Sequence, residues 1–204
     1  MSKLNSILEQ RGVTPDHFQS VLGSGLLSDI FDPRAKISNR IAVRQVLELG
    51  ALPSEPGRHI VNFSLSLVDM ISAGNCDWKN ENITEDKFPV KGEGQVEFED
   101  TIFHFDRSIS SEDAAAQIIA ADPENPWEPA KIENLLAYGA KTPEEQRKFP
   151  IVGLGSVGEV LGARFVPFLS WYDSGRFLYL YYWRGVWFVC FRFLAVRKVK
   201  PSGN

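Results

Sequence analysis

The most suggestive spacing in the chain is Gly153-Leu154-Gly155-Ser156-Val157-Gly158, which matches the G-x-G-x-x-G fingerprint of dinucleotide-binding proteins. That fingerprint binds a pyrophosphate because bare glycine backbone and the N-terminus of a following helix face the phosphates. Here Gly162 and Pro167 interrupt the following segment, and its apolar spacing is that of a strand. We therefore interpret the motif as a glycine-rich connection between strands.

Histidine and cysteine side chains could support acid–base or metal chemistry. However, His17, His59 and His104 have no partner at the spacing of a zinc site or a catalytic triad, since H-E-x-x-H, C-x-x-C and G-x-S-x-G are all missing. Cys76 and Cys190 are far apart, which predicts reduced thiols rather than a disulfide framework. We interpret the histidines as structural.

An acidic group, Glu97, Glu99 and Asp100, could form a paired-carboxylate site. A solvated face of a hairpin accounts for the same residues, and we prefer that interpretation. The sequence thus predicts no catalytic residue, no metal and no cofactor.

The segment between Val160 and Arg197 differs in composition from the rest of the chain. It holds thirteen aromatic residues, against eleven in the other 166 residues, and no Lys, Glu, Gln, Met or Asn. Its five cations are all arginine, and its single acid is Asp173. Tyr, Trp and Arg dominate the residues that contribute most energy to protein binding. The composition favours a binding surface, although buried strands are also rich in aromatics.

Alternation along this segment separates two sets of side chains. In a strand from Phe177 to Tyr181, Leu178 and Leu180 point to one face and three aromatics point to the other. The leucine face is a natural core face, which leaves the aromatic face for a ligand. Trp183-Arg184-Gly185-Val186-Trp187 predicts a hairpin turn between two tryptophan anchors. Trp78 is interpreted as a core anchor or a lid over the sheet.

The elements that hold these residues begin with helices. Thr14-Pro15-Asp16 is typical of a helix N-terminus, and Ser38 to Leu49 has the apolar spacing of a second helix. The proline-rich stretch from Leu52 to Gly57 marks a boundary between an N-terminal helical segment, 1–56, and a second domain, 57–204.

The second domain lacks a regular alternation of strand and helix. We predict a strand over His59 to Leu65, a helix over Leu67 to Ala73, a hairpin within Gly94 to Phe105 that turns at Glu99 and Asp100, helices over Ala114 to Ala121 and from Pro129, and strands from Phe149 onward. This order predicts the α+β class.

Bulk composition excludes several classes of function. The 204 residues are 44% hydrophobic and 24% charged, as in globular domains. The net charge of −4 argues against a general nucleic-acid binder, because proteins that track phosphates usually carry excess Lys and Arg. The N-terminal residues contain no apolar run of the length that a signal peptide needs, and no run in the chain reaches the length of a membrane span. We expect a soluble, cytoplasmic protein, with surface display by another route left open.

Several landmarks along the chain resemble a group of bacterial variable proteins. They are Phe149-Pro150-Ile151-Val152, Gly155-Ser156, Val166-Pro167, Ser174-Gly175-Arg176, Trp187 and Arg192 to Lys198, with further likeness at Asp77 to Asn80 and Asn125 to Ala130. The pattern resembles the target protein of a diversity-generating retroelement. In such systems mutagenic reverse transcription of template adenines randomises chosen codons near the 3′ end of the gene. The variable region would lie at about 165–192.

This resemblance implies a C-type-lectin-like fold, an irregular antiparallel sheet flanked by helices, with variable side chains on one face. An internal check comes from the genetic code. Asparagine codons mutated at their adenines cannot give Lys, Glu, Gln, Met or Trp, and the first four are missing from the segment. The tryptophans would then belong to the framework.

The resulting hypothesis is a non-enzymatic binding protein whose ligand is expected to be a protein. The predicted ligand surface consists of Phe168, Ser170, Tyr172, Asp173, Phe177, Tyr179, Tyr181, Tyr182, Arg184, Val186, Phe188, Val189 and Phe191. The predicted scaffold beneath it consists of Leu178, Leu180, Trp183, Trp187, Arg192, Phe193 and Ala195.

Two alternatives stay open. The first is a platform for single-stranded nucleic acid, in which aromatics stack on bases and arginines contact phosphates. Those arginines would be Arg164, Arg176, Arg184, Arg192 and Arg197. The second is an enzyme related to the formylglycine-generating branch of lectin-like folds, which is remote because the chain has no suitable cysteine pair.

Overall fold

Residues 56–173 and 175–199 are described by a computed structural model. They form a mixed α+β fold of eleven strands and four helices, which confirms the predicted class. The helices predicted within the first fifty residues, and with them the predicted segment 1–56, lie outside the described residues.

Four of the strands have seven or more residues, and the others have two to six. They are β1 (Gly57–Asn62), β2 (Trp78–Lys79), β3 (Gln95–His104), β4 (Ile109–Ser110), β5 (Glu128–Pro129), β6 (Ile151–Val152), β7 (Gly158–Val160), β8 (Ala163–Tyr172), β9 (Gly175–Tyr182), β10 (Val186–Trp187) and β11 (Arg192–Lys198). The helices are α1 (Leu67–Ala73), α2 (Ser111–Ala120), α3 (Ile132–Lys141) and α4 (Glu145–Lys148).

Local signals in the sequence explain where two helices begin. Ser66 forms a capping box with Asp69 ahead of α1, which has the predicted bounds and is followed by Gly74. Ser110 caps α2 by accepting a hydrogen bond from Asp113 N at 3.0 Å, so this helix begins three residues earlier than predicted.

The predicted start of a helix at Pro129 is wrong. Pro129 lies in β5, where it is paired with Ala195 of β11. A proline can occupy such a short strand because it lacks only the donor. The helix α3 begins at Ile132 instead, and Ile132 N donates to Ser156 Oγ at 2.9 Å.

Nine of the strands form one sheet. Its order is β1-β3-β11-β6-β8-β9-β2, with β5 also paired to β11 and β7 also paired to β8. All its pairs are antiparallel except β11 with β6 and β2 with β9. The remaining strands, β4 and β10, pair with each other. This order places the β8–β9 hairpin next to one edge of the sheet.

The predicted hairpin at Glu99 and Asp100 is also wrong, because β3 runs through both residues as one strand between β1 and β11. Partners on the neighbouring strands explain why these acids fit in mid-strand. Asp100 Oδ2 lies 2.9 Å from His59 Nδ1 on β1, and Glu99 Oε2 accepts from Arg197 Nε at 2.7 Å on β11. His59 Nε2 also lies 3.0 Å from Asn134 Oδ1, so His59 is a buried residue with partners at both ring nitrogens.

The main core lies between one face of the sheet and the helices α1 and α3. Leu169, Leu178 and Leu194 contribute from the sheet, and Leu135 and Leu136 contribute from α3. Each of these side chains is at most 1% exposed. One face of the β8–β9 hairpin therefore packs against the core, and the opposite face does not.

Candidate ligand-binding surface

The hairpin of β8 and β9 has a register that sorts its side chains between two faces. Phe168 lies opposite Tyr179 on one face, and Leu169 lies opposite Leu178 on the other. Both leucines belong to the core. The leucine face predicted from alternation is thus the core face of the hairpin.

The other face carries a row of aromatic rings, which we call the aromatic row. Its members are Trp78, Phe168, Tyr172, Phe177, Tyr179, Tyr181 and Phe191. The rings of Phe177 and Tyr179 are 5.4 Å apart and within 10° of parallel. Tyr179 is in turn 5.5 Å from Phe168, and Phe168 is 5.8 Å from Phe191. These separations are typical of favourable aromatic pairs.

The aromatic row is open at one end and anchored in the core at the other. None of its members is buried, and Tyr172 at the open end is 70% exposed. At the other end Tyr181 and Phe191 contact Trp187, with ring separations of 4.8 and 5.0 Å. Trp187 is fully buried. The row is therefore a supported surface rather than a set of free side chains.

The segment from Phe188 to Phe191 adds an exposed tip beside the row. Phe188 is 59% exposed, and Val189 and Cys190 are also exposed. Backbone contacts hold the tip in place, since Val189 O accepts from His104 Nε2 at 3.1 Å and from Arg192 Nη1 at 2.9 Å. Desolvation, with the nearby Arg192 charge, lowers the pKa of His104 below its usual 6.5 and favours the neutral ring.

Some residues of the predicted surface lie away from the row. Tyr182 lies on the opposite face of β9, where its ring is 4.4 Å from that of Phe165. Asp173, with a φ of 58°, lies in the turn that follows β8, and Arg184 lies in the turn after β9. Ser170, opposite Phe177, shares the face of the row and is half-buried.

The predicted hairpin between Trp183 and Trp187 is wrong. The chain does turn after Tyr182, but Val186 and Trp187 form β10, which pairs with β4 and not with β9. Side-chain contacts explain the choice, because Trp187 Nε1 donates to Ser111 Oγ at 2.8 Å. Ser111 Oγ itself donates to Trp183 O at 2.7 Å, so one hydroxyl joins both ends of the turn to α2.

The predicted scaffold residues differ in burial. Leu178, Trp187, Phe193 and Ala195 are fully buried or nearly so, whereas Leu180, Trp183 and Arg192 are half-buried. Trp183 is covered by the Arg164 guanidinium, which lies 4.8 Å from the ring centroid, and its Nε1 donates to Glu112. Trp183 is therefore held by a cation–π contact and a hydrogen bond, and it does not belong to the main core.

Trp78 is a member of the surface that the sequence did not identify as one. It lies on β2 at the edge of the sheet, opposite Phe177 in register, and its ring is 5.0 Å from Tyr179. At 42% exposed it is not a core anchor. Asp77 Oδ2 accepts from Arg176 N at 2.7 Å, which helps to fix β2 beside β9.

Four of the five arginines considered for a nucleic-acid platform are engaged within the protein. Arg164 covers Trp183, and Arg176 donates to Gly139 O at 2.7 Å. Arg192 binds the tip backbone, and Arg197 forms ion pairs with two acids while lying 4.1 Å over the ring of Trp127. Arg184 alone of the five is exposed in a turn without such a contact among the described residues. The arginines do not form a track beside the aromatic row.

The Gly153–Gly158 motif has a structural explanation. A Cβ atom at Gly155 would lie 2.2 Å from Pro129 O, and one at Gly158 would lie 2.5 Å from the ring of Phe88. Gly158 begins the strand β7 and not a helix. The motif does meet the N-terminus of α3, but Gly155 N donates to Ala130 O and Ile132 N donates to Ser156 Oγ. Two of the backbone donors at this junction are therefore already used.

A pocket of about 220 Å³ lies beside this motif, away from the aromatic row. It is lined by Lys87, Phe88, Pro89, Lys91, Lys131, Glu133, Gly155, Ser156 and Val157. Burial raises the pKa of Glu133. In the described ranges, no cluster of three or more His, Cys, Asp or Glu residues could hold a metal ion. No helix among the described residues is long and apolar enough to cross a membrane.

Comparison of the chain with protein-family models, with curated proteins and with solved structures found no match. The retroelement resemblance therefore stays a prediction. The functional argument depends on the geometry of the hairpin and its surroundings.

Proposed function

We propose that the protein is a non-enzymatic ligand-binding protein whose binding surface is the aromatic row together with the tip at Phe188 and Val189. The observation that carries this proposal is the division of one hairpin into a face that packs in the core through Leu169 and Leu178 and an aromatic face on which no member of the row is buried. A contiguous exposed apolar patch usually marks an interaction site.

The geometry of the row supports a protein as the ligand. The rings contact one another, and two of them contact Trp187, so they lose little rotamer freedom when a partner binds. Tyrosine supplies a large contact area with a polar end, as in the paratopes of binding proteins. Small molecules prefer concave sites, and the row is the face of a sheet.

Site-specific cross-linking in the organism that encodes the protein tests the proposal. The photoreactive residue p-benzoylphenylalanine is placed at Tyr172 or at Phe188, the two most exposed aromatics of the surface. The matched control position is Ile60, which is 57% exposed on β1 at the other edge of the sheet. We expect one protein to be captured from both surface positions and not from Ile60.

Two results would overturn this proposal. Capture of the same products from Ile60 as from the surface would show that contact is unspecific. Capture of nucleic acid from Tyr172 and Phe188, reduced by salt, would replace the protein ligand with the single-strand platform.

We infer further that the exposed members of the row are the replaceable layer of a retroelement-diversified, C-type-lectin-like domain. Support comes from the division of roles, since Leu169, Leu178 and Trp187 pack in the interior while Tyr172 and Phe188 contribute mainly to the surface. The surrounding DNA tests this part. We expect an adenine-rich near-copy of the coding sequence for about 165–192 beside a reverse-transcriptase gene. Its absence would remove the retroelement and leave the binding proposal in place.

A further inference from the structure

Strand β9 is longer than its neighbour at the edge of the sheet. Its pairing with β2 covers only Phe177 and Leu178. Asn80 N donates to Leu178 O at 2.9 Å, and the chain then turns away, with Ile83 N donating to Asn80 O. From Tyr179 to Tyr182, no strand among the described residues pairs with the outer side of β9.

The orientation of the Leu180 backbone follows from its partner on β8. Leu180 lies opposite Pro167, which has no N–H and whose carbonyl accepts from Gly153 N at 3.0 Å on the β6 side. Leu180 is thus at a position without ladder bonds to β8, since such positions alternate along an antiparallel pair. Its N–H and C=O point outward, in the same direction as Leu178 O, which reaches Asn80.

A strand edge that no described strand covers is a template for another strand. We propose that the edge of β9 at Leu180 binds an extended peptide segment of the partner protein by β-augmentation, with alternate ligand side chains packing on Trp78, Tyr179 and Tyr181. The inference rests on the proposed function and specifies the form of its partner. A strand added there would lie about 4.8 Å from β9, in line with β2 and beside the aromatic row.

The charges beside the edge specify the ligand further. Arg184 is exposed just past Tyr182, and Asp173 is exposed in the turn at the opposite end of β9. A complementary ligand is an apolar segment with an acidic residue at the Arg184 end. Few backbone bonds are available at this edge, so the aromatic contacts supply most of the affinity and the backbone sets the direction and register of the strand.

A library of linear twelve-residue peptides displayed on phage is the probe, selected against the full chain. Selected peptides are synthesised with single N-methyl groups at successive backbone positions. We expect N-methylation at every second central position to weaken binding, by more than tenfold at the amide that donates to Leu180 O, and the positions between to tolerate it, because alternate amides face the neighbouring strand. Loss of affinity without this alternation would overturn the inference.

A pair of variants tests the protein side of the ladder. Leu180→Pro removes the outward N–H at a position where proline costs β8 no hydrogen bond, and Leu180→Ala removes the side chain but keeps the N–H. We expect the proline variant to bind at least tenfold more weakly than the alanine variant at equal folding, judged by circular dichroism. Equal affinity of the two folded variants would contradict strand addition. If Leu180→Pro does not fold, the N-methyl series decides alone.

The two proposals fail in different ways. Peptides whose binding is lost in Tyr179→Ala, but which show no alternation on N-methylation, would leave the aromatic surface standing and remove the strand ladder. A selection in which every binder is unaffected by Tyr179→Ala would contradict the proposed function itself.

Discussion

The indole ring of Trp78 lies 5.0 Å from the ring of Tyr179, although the two residues are far apart in the chain. The contact joins the edge strand β2 to the β8–β9 hairpin on the face opposite the core. Trp78 also contacts Phe177, at 6.2 Å between ring centroids. The candidate surface is therefore built by two separate segments, of which only one is rich in aromatics.

Replacement of Trp78 should separate binding from stability. In Trp78→Ala we expect the free energy of unfolding to fall by only about 1 kcal/mol, since the ring is 42% exposed and its removal eliminates two aromatic contacts. Affinity for a captured partner should fall at least tenfold, as for a central aromatic contact. Calorimetric titration and urea unfolding measure the two effects. The matched control, Ile60→Ala on β1, should leave affinity unchanged, and an equal loss there would show that the effect is indirect.

Two aromatics of the predicted surface should differ sharply in their contribution to folding. Tyr181→Ala removes the contact with buried Trp187 at 4.8 Å and should destabilise by about 2 kcal/mol. Phe188→Ala removes a ring that is 59% exposed and should change stability by less than about 0.5 kcal/mol. Urea unfolding of the two variants checks this. Similar losses in both would mean that the tip is packed and not a free surface.

The hydroxyl of Ser111 should be important to the turn that follows β9. It accepts from Trp187 Nε1 at 2.8 Å and donates to Trp183 O at 2.7 Å. In Ser111→Ala the buried indole N–H loses its partner, at a cost of about 1–3 kcal/mol. Ser72→Ala is the control, because that hydroxyl donates to Val68 O on the exposed face of α1 and should change stability by less than about 0.5 kcal/mol. Thermal unfolding that ranks the two variants equally would contradict the assignment.

The sequence predicts correctly those helices and strands that are determined by residues adjacent in the chain. The capping serine of α1 and the period-two alternation of Phe177 to Tyr181 are local patterns of this kind, and both agree with the structure. The prediction of a hairpin at Glu99 and Asp100 is wrong because acidic residues are depleted in strands, and two adjacent acids therefore indicated a turn. Their partners, Arg197 and His59, are contributed by distant strands, and sequence spacing gives no sign of them.

The same limit explains what the sequence could and could not say of the candidate surface. The row within β9 follows from alternation alone, whereas Trp78 joins it only through the parallel pairing of β2 with β9. Composition groups Tyr182 with the neighbouring aromatics, whereas the register places it on the face of β9 opposite the aromatic row. After the turn that follows β9, strand β10 pairs with β4, because Trp187 Nε1 donates to Ser111 Oγ of α2. No local sequence motif encodes this contact.

Acidification should destabilise the fold through His104. Desolvation and the charge of Arg192 lower the pKa of His104 below 6.5, while the Val189 carbonyl and Asp106 act in the opposite direction. Since the unfolded chain then binds a proton more readily than the folded one, this group's contribution to stability is full above about pH 6.5 and is lost as pH falls through the lowered pKa. Urea unfolding between about pH 5.5 and 7.5 measures the slope.

His104→Gln is the matched variant for this slope, because its side-chain amide can still donate to Val189 O but does not titrate. We expect the free energy of unfolding of the variant to vary less with pH over the same interval than that of the parent. The two proteins differ at this position alone, so any other contribution to the pH dependence cancels in the comparison. Identical pH dependence in the two proteins would show that folding does not lower the pKa of His104.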